Sequence, residues 1–200
     1  MPPLTPANQE IRSANVTASE VGALLGPHPY TTPEGIWDRL CSPFALERVT
    51  NEFMENGSFM EAAILRLAEK RLQLKARLNS RTFVHKTVRL CATPDAFVLG
   101  RPPGLIEIKL SGSRDMWSRD DSPDHVTWQV RAQMACTGRE TAAVCVLIGS
   151  GLRTYLIVRD RAEEDRMLAA VDRFWREHVV TGIRPDPAPP IPIEYRGATA

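Results

Sequence analysis

The 200-residue sequence has no apolar run approaching the ~20 residues that a membrane-spanning helix needs, and its first ten residues lack the charged-then-apolar layout of a secretory signal. A cytoplasmic protein with no membrane partner is the expectation. The four cysteines, Cys41, Cys91, Cys136 and Cys145, show no C-x-x-C spacing. They are expected to be reduced and buried rather than metal ligands or disulfides. Internal repeats and low-complexity stretches are missing until the C-terminal end, which excludes fibrous and coiled-coil chains. Net charge is nearly absent as well: 25 Lys+Arg against 24 Asp+Glu leave +1, at first sight an argument against a nucleic-acid partner. What is present, 43% hydrophobic and 24% charged residues, describes one globular domain. At this length a core can bury roughly 70% of the unfolded surface without covalent staples.

Residues 1–183 read as a single domain and 184–200 as a tail, because Pro185, Pro187, Pro189, Pro190 and Pro192 bar helix and sheet alike. Thr17-Ala18-Ser19-Glu20 has capping-box spacing ahead of a short helix that Gly26-Pro27 stops, and Thr32-Pro33 opens another carrying Ile36, Trp37 and Leu40. Residues 51–78 read as mostly helical, with Gly57 as a candidate break. Residues 82–90, 92–99 and 105–110 then read as strands, followed by a helix over 125–137, strands over 142–148 and 153–158, and a helix from Asp160-Arg161-Ala162-Glu163 to about Val180. The order predicts an α/β fold with a mixed sheet of about five strands flanked by helices.

On the strand Leu105-Ile106-Glu107-Ile108-Lys109-Leu110, alternation sends Ile106, Ile108 and Leu110 to one face and Glu107 and Lys109 together to the other, about 7 Å apart along the axis. Asp95, in Thr93-Pro94-Asp95-Ala96, is brought beside Glu107 by a hairpin through Gly100–Gly104. Two converging carboxylates make a hard oxygen site of the kind Mg²⁺ occupies while keeping waters for a substrate phosphate. An E-x-K alone is common as a surface ion pair; Pro94-Asp95 at hairpin distance makes it the PD-(D/E)xK nuclease signature.

From residue 12 to about 160 the chain resembles the lambda exonuclease and YqaJ-type viral recombinase family of that superfamily. The resemblance rests on an ordered series: Arg12 with Val16-Thr17-Ala18-Ser19-Glu20-Val21, Gly57-Ser58-Phe59-Met60-Glu61, Ala92-Thr93-Pro94-Asp95, Ile106-Glu107-Ile108-Lys109, Ser113-Arg114-Asp115-Met116-Trp117, and Trp128-Gln129-Val130-Arg131 running to Thr137-Gly138. It implies a restriction-endonuclease-like core in which Asp95, Glu107 and the Ile108 carbonyl hold Mg²⁺, with Mn²⁺ able to substitute, and Glu61 completes a second metal position. Lys109 would orient or deprotonate the attacking water, with Gln129 beside it. Metal-assisted in-line hydrolysis is the chemistry such a set performs.

The resemblance also implies a pocket for the 5′-phosphate of the digested strand at Arg12 and Ser19, with Thr17 beside them. Ser19 at a helix start and Arg12 as a bidentate donor suit an anion; plain helix capping and a solvated arginine are the bland alternative. Arg114 and Trp117, in the polar loop 111–124, are candidate DNA contacts, although Trp117 reads equally well as a partly buried loop anchor. The family departs at Gln133, where many relatives carry an aromatic residue. No cysteine cluster supports an iron–sulfur cofactor. His28, His85, His125 and His178 share no ligand spacing and read as structural or exposed.

The activity so implied is Mg²⁺-dependent 5′-to-3′ digestion of linear double-stranded DNA ends, leaving 3′ single strands for a single-strand annealing protein. A ring-shaped homotrimer, in a bacterial host and phage- or prophage-encoded, goes with it. A structure-specific or restriction-type endonuclease and a non-cutting end-binding accessory are the alternatives. The charge total does not oppose this. Arg66 to Arg89 holds eight basic residues and one acid, a net +7 that leaves −6 for the rest, so an averaged +1 hides a basic stretch suited to phosphates.

Overall fold

The computed structural model describes residues 5–42, 52–112 and 114–188, with the side chains of 52–54 excepted. Ser113 and most of the proline-rich tail lie outside the described residues.

Fifteen segments of regular structure follow one another. Helix α1 (Pro6–Ser13) has Thr5 as N-cap and proline in its first turn. Nothing in the apolar pattern announces it. Strand β1 (Val16–Thr17) leads to a single 3₁₀ turn, Val21–Leu24, and then α2 (Pro33–Cys41), where the Thr32 hydroxyl accepts from the Gly35 amide at 3.1 Å as the Thr-Pro pair predicts.

The expected helix over 51–78 divides. Helix α3 (Glu52–Leu72) runs through Gly57 unbroken, ends at Gln73 with φ 52°, and gives way to β2 (Lys75–Leu78). One glycine costs a helix about 1 kcal/mol, which packing of the rest of α3 offsets. The expected strands over 82–90 and 92–99 also shorten, to β3 (Phe83–Val84), β4 (Leu90–Ala92) and β5 (Ala96–Leu99). The break between β4 and β5 falls at Thr93-Pro94-Asp95, where proline removes a ladder donor. Then come β6 (Gly104–Ser111), α4 (Asp124–Thr137), β7 (Thr141–Ile148), β8 (Gly151–Val158) and α5 (Arg161–Phe174), the last extended by a π-helical turn to Val179.

The main sheet has the order β2-β5-β6-β7-β8, with β6 and β7 parallel and every other pair antiparallel. Helix α4 is the crossover that the parallel pair requires. A small second sheet, β1-β4-β3, is formed by the N-terminal segment pairing in parallel with β4. Ile64, Leu65 and Ala68 of α3 cover one face of the main sheet with Ile106, Ile108 and Cys145; Val126, Val130 and Met134 of α4 cover the other with Leu105, Val144 and Val146. Ile36, Met167, Val171 and Phe174 bind α2 and α5 to the small sheet. Cys91 and Cys145 are buried, and all four cysteines are free thiols. Arg184, where the tail begins, pairs with Glu34 and Asp38 of α2. No helix among the described residues is long and apolar enough to cross a membrane.

Candidate active site

Strands β5 and β6 pair only at Ala96–Ile106 and Phe97–Leu105. One step beyond, where the ladder stops, Asp95 stands across from Glu107. Its Oδ2 accepts the Ile108 amide at 2.7 Å, so a carboxylate takes the place of the missing strand partner. The N–H and C=O of a strand residue leave from the same edge, and the Ile108 carbonyl therefore faces this side too. Asn79 steadies the loop, its side chain donating to the Pro94 carbonyl and its amide to that of Asp95, both at 2.8 Å.

Glu107 is 2% exposed. Its Oε1 meets the Lys109 ammonium at 2.6 Å, the long lysine side chain closing the spacing along the strand. The same oxygen accepts from Gln129 Nε2 at 2.7 Å, and Gln129 Oε1 in turn accepts from Lys109 Nζ at 3.0 Å. Those two bonds fix the orientation of the Gln129 amide. Gln133, one turn later on α4, donates to Glu107 Oε2 at 2.6 Å. Sequence reasoning noted Gln133 only as a departure. Its i, i+4 spacing from Gln129 was the available signal that both amides serve one carboxylate.

Burial, then repulsion from Glu107, pushes the Asp95 carboxyl well above its ordinary range. Burial raises Glu61 too, and the charge of Glu107 adds to it. Glu61 lies on α3, in the opposite layer from α4, yet close enough to feel that charge. Burial pulls the Lys109 ammonium down, but Glu107 and Asp95 outweigh it and hold its pKa above the ordinary value. Lysine is thus kept as a cation that orients and stabilises.

Mutual repulsion among oxygen-only groups is a defect that a divalent cation relieves, so the donor set fits Mg²⁺. Among the described residues, no three His, Cys, Asp or Glu side chains are gathered tightly enough to close a metal cage. The protein offers Asp95, Glu107 and the Ile108 carbonyl as an open half-shell, with Glu61 outside it.

Around the suggested phosphate pocket the structure corrects two expectations. Ser19 does not open an α-helix: Val21–Leu24 is one 3₁₀ turn without a side-chain cap. Glu20 explains this, for its Oε2 accepts the Thr17 amide and hydroxyl, each at 2.9 Å, while Arg39 grips both carboxylate oxygens at 2.5 and 2.7 Å. The segment is held as a turn, and attraction by a helix dipole is withdrawn. Thr17 is buried with its hydroxyl engaged, 3.1 Å from that of the exposed Ser19. Arg12 ends α1 on the same segment, its carbonyl and that of Asn15 accepting from Arg39 at 2.8 and 2.9 Å. Pairing of β1 with β4 sets this segment beside the strand leading to Asp95.

Trp117 is the second correction. It is 7% exposed, stacks on Tyr155 at 5.9 Å and packs with Leu105 and Val126, so it anchors the loop rather than facing DNA. Arg114 is exposed on the same loop. All eight basic residues from Arg66 to Arg89 are exposed, and Arg66, Lys70 and Lys75 line one cleft between α3 and β2.

A model of the YqaJ-like viral recombinase domain matches residues 8–140, which contain the hairpin, both glutamines and the Arg12–Ser19 segment. The chain belongs to the YqaJ-like viral recombinase family. No curated protein sequence matches it. Among solved structures, this family member is similar to the alkaline exonuclease LHK-Exo from Laribacter hongkongensis, at 22% identity and TM-score 0.68 over 88% of this chain and 94% of that one. A complex of LHK-Exo with dAMP gives the same TM-score at 20% identity. A phage-related exonuclease from Haemophilus somnus 129PT follows at 12% identity and TM-score 0.60, over 84% and 96% of the two chains. The YqaJ-like chain therefore has the α/β fold of PD-(D/E)xK-type exonucleases.

Proposed function

We propose that this chain is a Mg²⁺-dependent DNA exonuclease that digests linear duplex ends 5′ to 3′ and leaves 3′ single strands for annealing. The observation that carries the reading is the Asp95–Glu107–Lys109–Gln129 constellation at the fork of β5 and β6. Two carboxylates and a charged lysine converge there, with a glutamine bridging Glu107 to Lys109.

Bound at Asp95, Glu107 and the Ile108 carbonyl, with Glu61 serving a second position, Mg²⁺ would supply a more acidic water and offset charge on the phosphate oxygens. Gln129 holds the Lys109 ammonium, which orients the nucleophile and stabilises the negative charge developing in line with it. Arg12 and Ser19 receive the 5′-phosphate, and Arg114 with the exposed basic residues from Arg66 to Arg89 draws in the duplex. Exposed Leu156 and Val158 on the edge strand β8 support subunit contact in a ring-shaped homotrimer. The setting that suits this activity is the cytoplasm of a bacterial host, with a phage or prophage as source and a single-strand annealing protein as partner.

Linear duplexes differing only in 5′ phosphorylation, incubated with Mg²⁺ and mapped strand by strand, test the reading alongside a covalently closed circle. Loss of the 5′-ended strand from linear substrate alone is expected. Cutting of the circle would make the chain an endonuclease. End binding without hydrolysis in Mg²⁺ and in Mn²⁺ would make it an accessory.

A further inference from the structure

Tyr30 is 76% exposed and belongs to none of the three apolar clusters of the core. It is nevertheless fixed. Its backbone amide and that of Thr31 both donate to His28 Nδ1 at 3.2 Å, and His28 Nε2 donates to the Ser19 carbonyl at 3.1 Å. One buried imidazole thus ties the Tyr30 turn to the segment bearing Ser19, and these bonds require its neutral form. The Tyr30 ring makes edge contacts with His28 (centroids 6.0 Å, 75°) and His125 (5.7 Å, 79°), and the two histidines meet each other at 5.2 Å.

His125 lies one turn before Gln129 on α4, so both project from the same side of the helix. The trio therefore adjoins the hydrolytic groups, and the Tyr30 phenol and His125 both interact electrostatically with Lys109. Tyr30 stands between Ser19 on one side and Lys109 with Gln129 on the other. If an end enters with its 5′-phosphate at Ser19 and its next phosphate at Lys109, the nucleoside linking those phosphates passes over this ring.

Resting on the exonuclease reading above, we infer that Tyr30 is a stacking platform for the terminal nucleobase of the digested strand, braced by His28 and His125. Every base has a π-face, so such a contact holds an end without choosing its sequence. Digestion that continues through any sequence needs that tolerance.

The test crosses protein with substrate. Wild type, Tyr30→Phe and Tyr30→Ala are each given 5′-phosphorylated duplexes whose terminal nucleotide is either intact or abasic. In wild type and Tyr30→Phe, loss of the base raises KM roughly tenfold. In Tyr30→Ala the two ends become equivalent, while melting of the protein is unchanged because the side chain is exposed. A base-to-abasic difference that survives in Tyr30→Ala overturns the assignment. The same combinations are read by end binding in Ca²⁺. There, discrimination that depends on Tyr30 in a protein that never cuts would overturn the exonuclease reading and keep the platform; cutting without such discrimination would do the reverse.

Discussion

Gln133 donates its side-chain amide to Oε2 of Glu107 at 2.6 Å, from a position only 1% exposed, and so holds the one oxygen of that carboxylate that Lys109 does not reach. Replacing it with leucine leaves a buried carboxylate short of a donor, at a cost of about 1–3 kcal/mol in stability. A metal ligand that loses its outer support also loses affinity. Gln133→Leu is expected to raise the Mg²⁺ concentration for half-maximal cleavage roughly 10- to 100-fold. Initial rates across a metal titration check this, and an unmoved midpoint would reject it.

Asp95 carries a carboxyl pushed upward by burial and by Glu107. Below the ordinary carboxyl pKa this costs nothing, but stability is lost as pH rises through the higher folded value, because the folded chain retains a proton the unfolded chain has released. Metal-free Asp95→Asn should therefore melt above wild type at neutral pH, by roughly 2–4 °C per kcal/mol relieved. Mg²⁺ should raise the melting temperature of wild type and leave the variant unmoved. Cleavage should vanish. Equal metal-induced shifts in the two proteins would remove Asp95 from the metal site.

Lys109 is bonded to Glu107 and Gln129, with 29% of its side chain exposed toward the substrate side. Lys109→Ala should abolish hydrolysis while duplex ends still bind, since the groups proposed to hold the end lie on other elements. Mg²⁺-dependent cleavage that persists in purified Lys109→Ala and Asp95→Ala would sink the nuclease assignment.

Arg39 neutralises Glu20 and clamps the Arg12 and Asn15 carbonyls. Without it, an unneutralised carboxylate would face any phosphate at Ser19. Arg39→Ala, like Arg12→Ala, should lower the preference for 5′-phosphorylated over 5′-hydroxyl ends. Arg39→Lys, unable to reproduce the fork, should recover only part of it. The ratio of kcat/KM on the two ends decides, and a ratio equal to wild type in all three variants would reject the pocket.

Burial, helped by neighbouring His28 and Lys109, pushes the His125 pKa down to about 4 from an ordinary 6.5. The folded protein binds fewer protons than the unfolded chain between those values, so stability contributed by neutral His125 falls as pH drops through that window. His125→Gln should narrow the gap between melting temperatures at pH 7 and pH 5. A gap as wide as in wild type would show that the ring is not held neutral.

The hairpin, the facing of Glu107 and Lys109 and the crossover helix were legible because strand alternation and turn glycines are local signals. So were the caps at Thr32 and Asp160. Helix α1 was not, having no apolar stripe, and neither was β2, whose apolar residues continue the phase of α3 across Gln73. Trp117 was readable in two ways; only its packing against Tyr155 decides between them. Gln133 and Arg39 escaped for a different reason. Each acts on a residue 26 or 19 positions away, and the register that joins such pairs exists only in the folded sheet.

That register has a consequence for engineering. The turn at 100–103 is far from the chemistry, but it sets the frame in which Asp95 meets Glu107. Removing a single residue there would slide β5 by one position and, with a period of two, turn Asp95 to the opposite face. The connector is therefore a length gauge for the reaction centre, tolerant of many side chains and intolerant of a change in count.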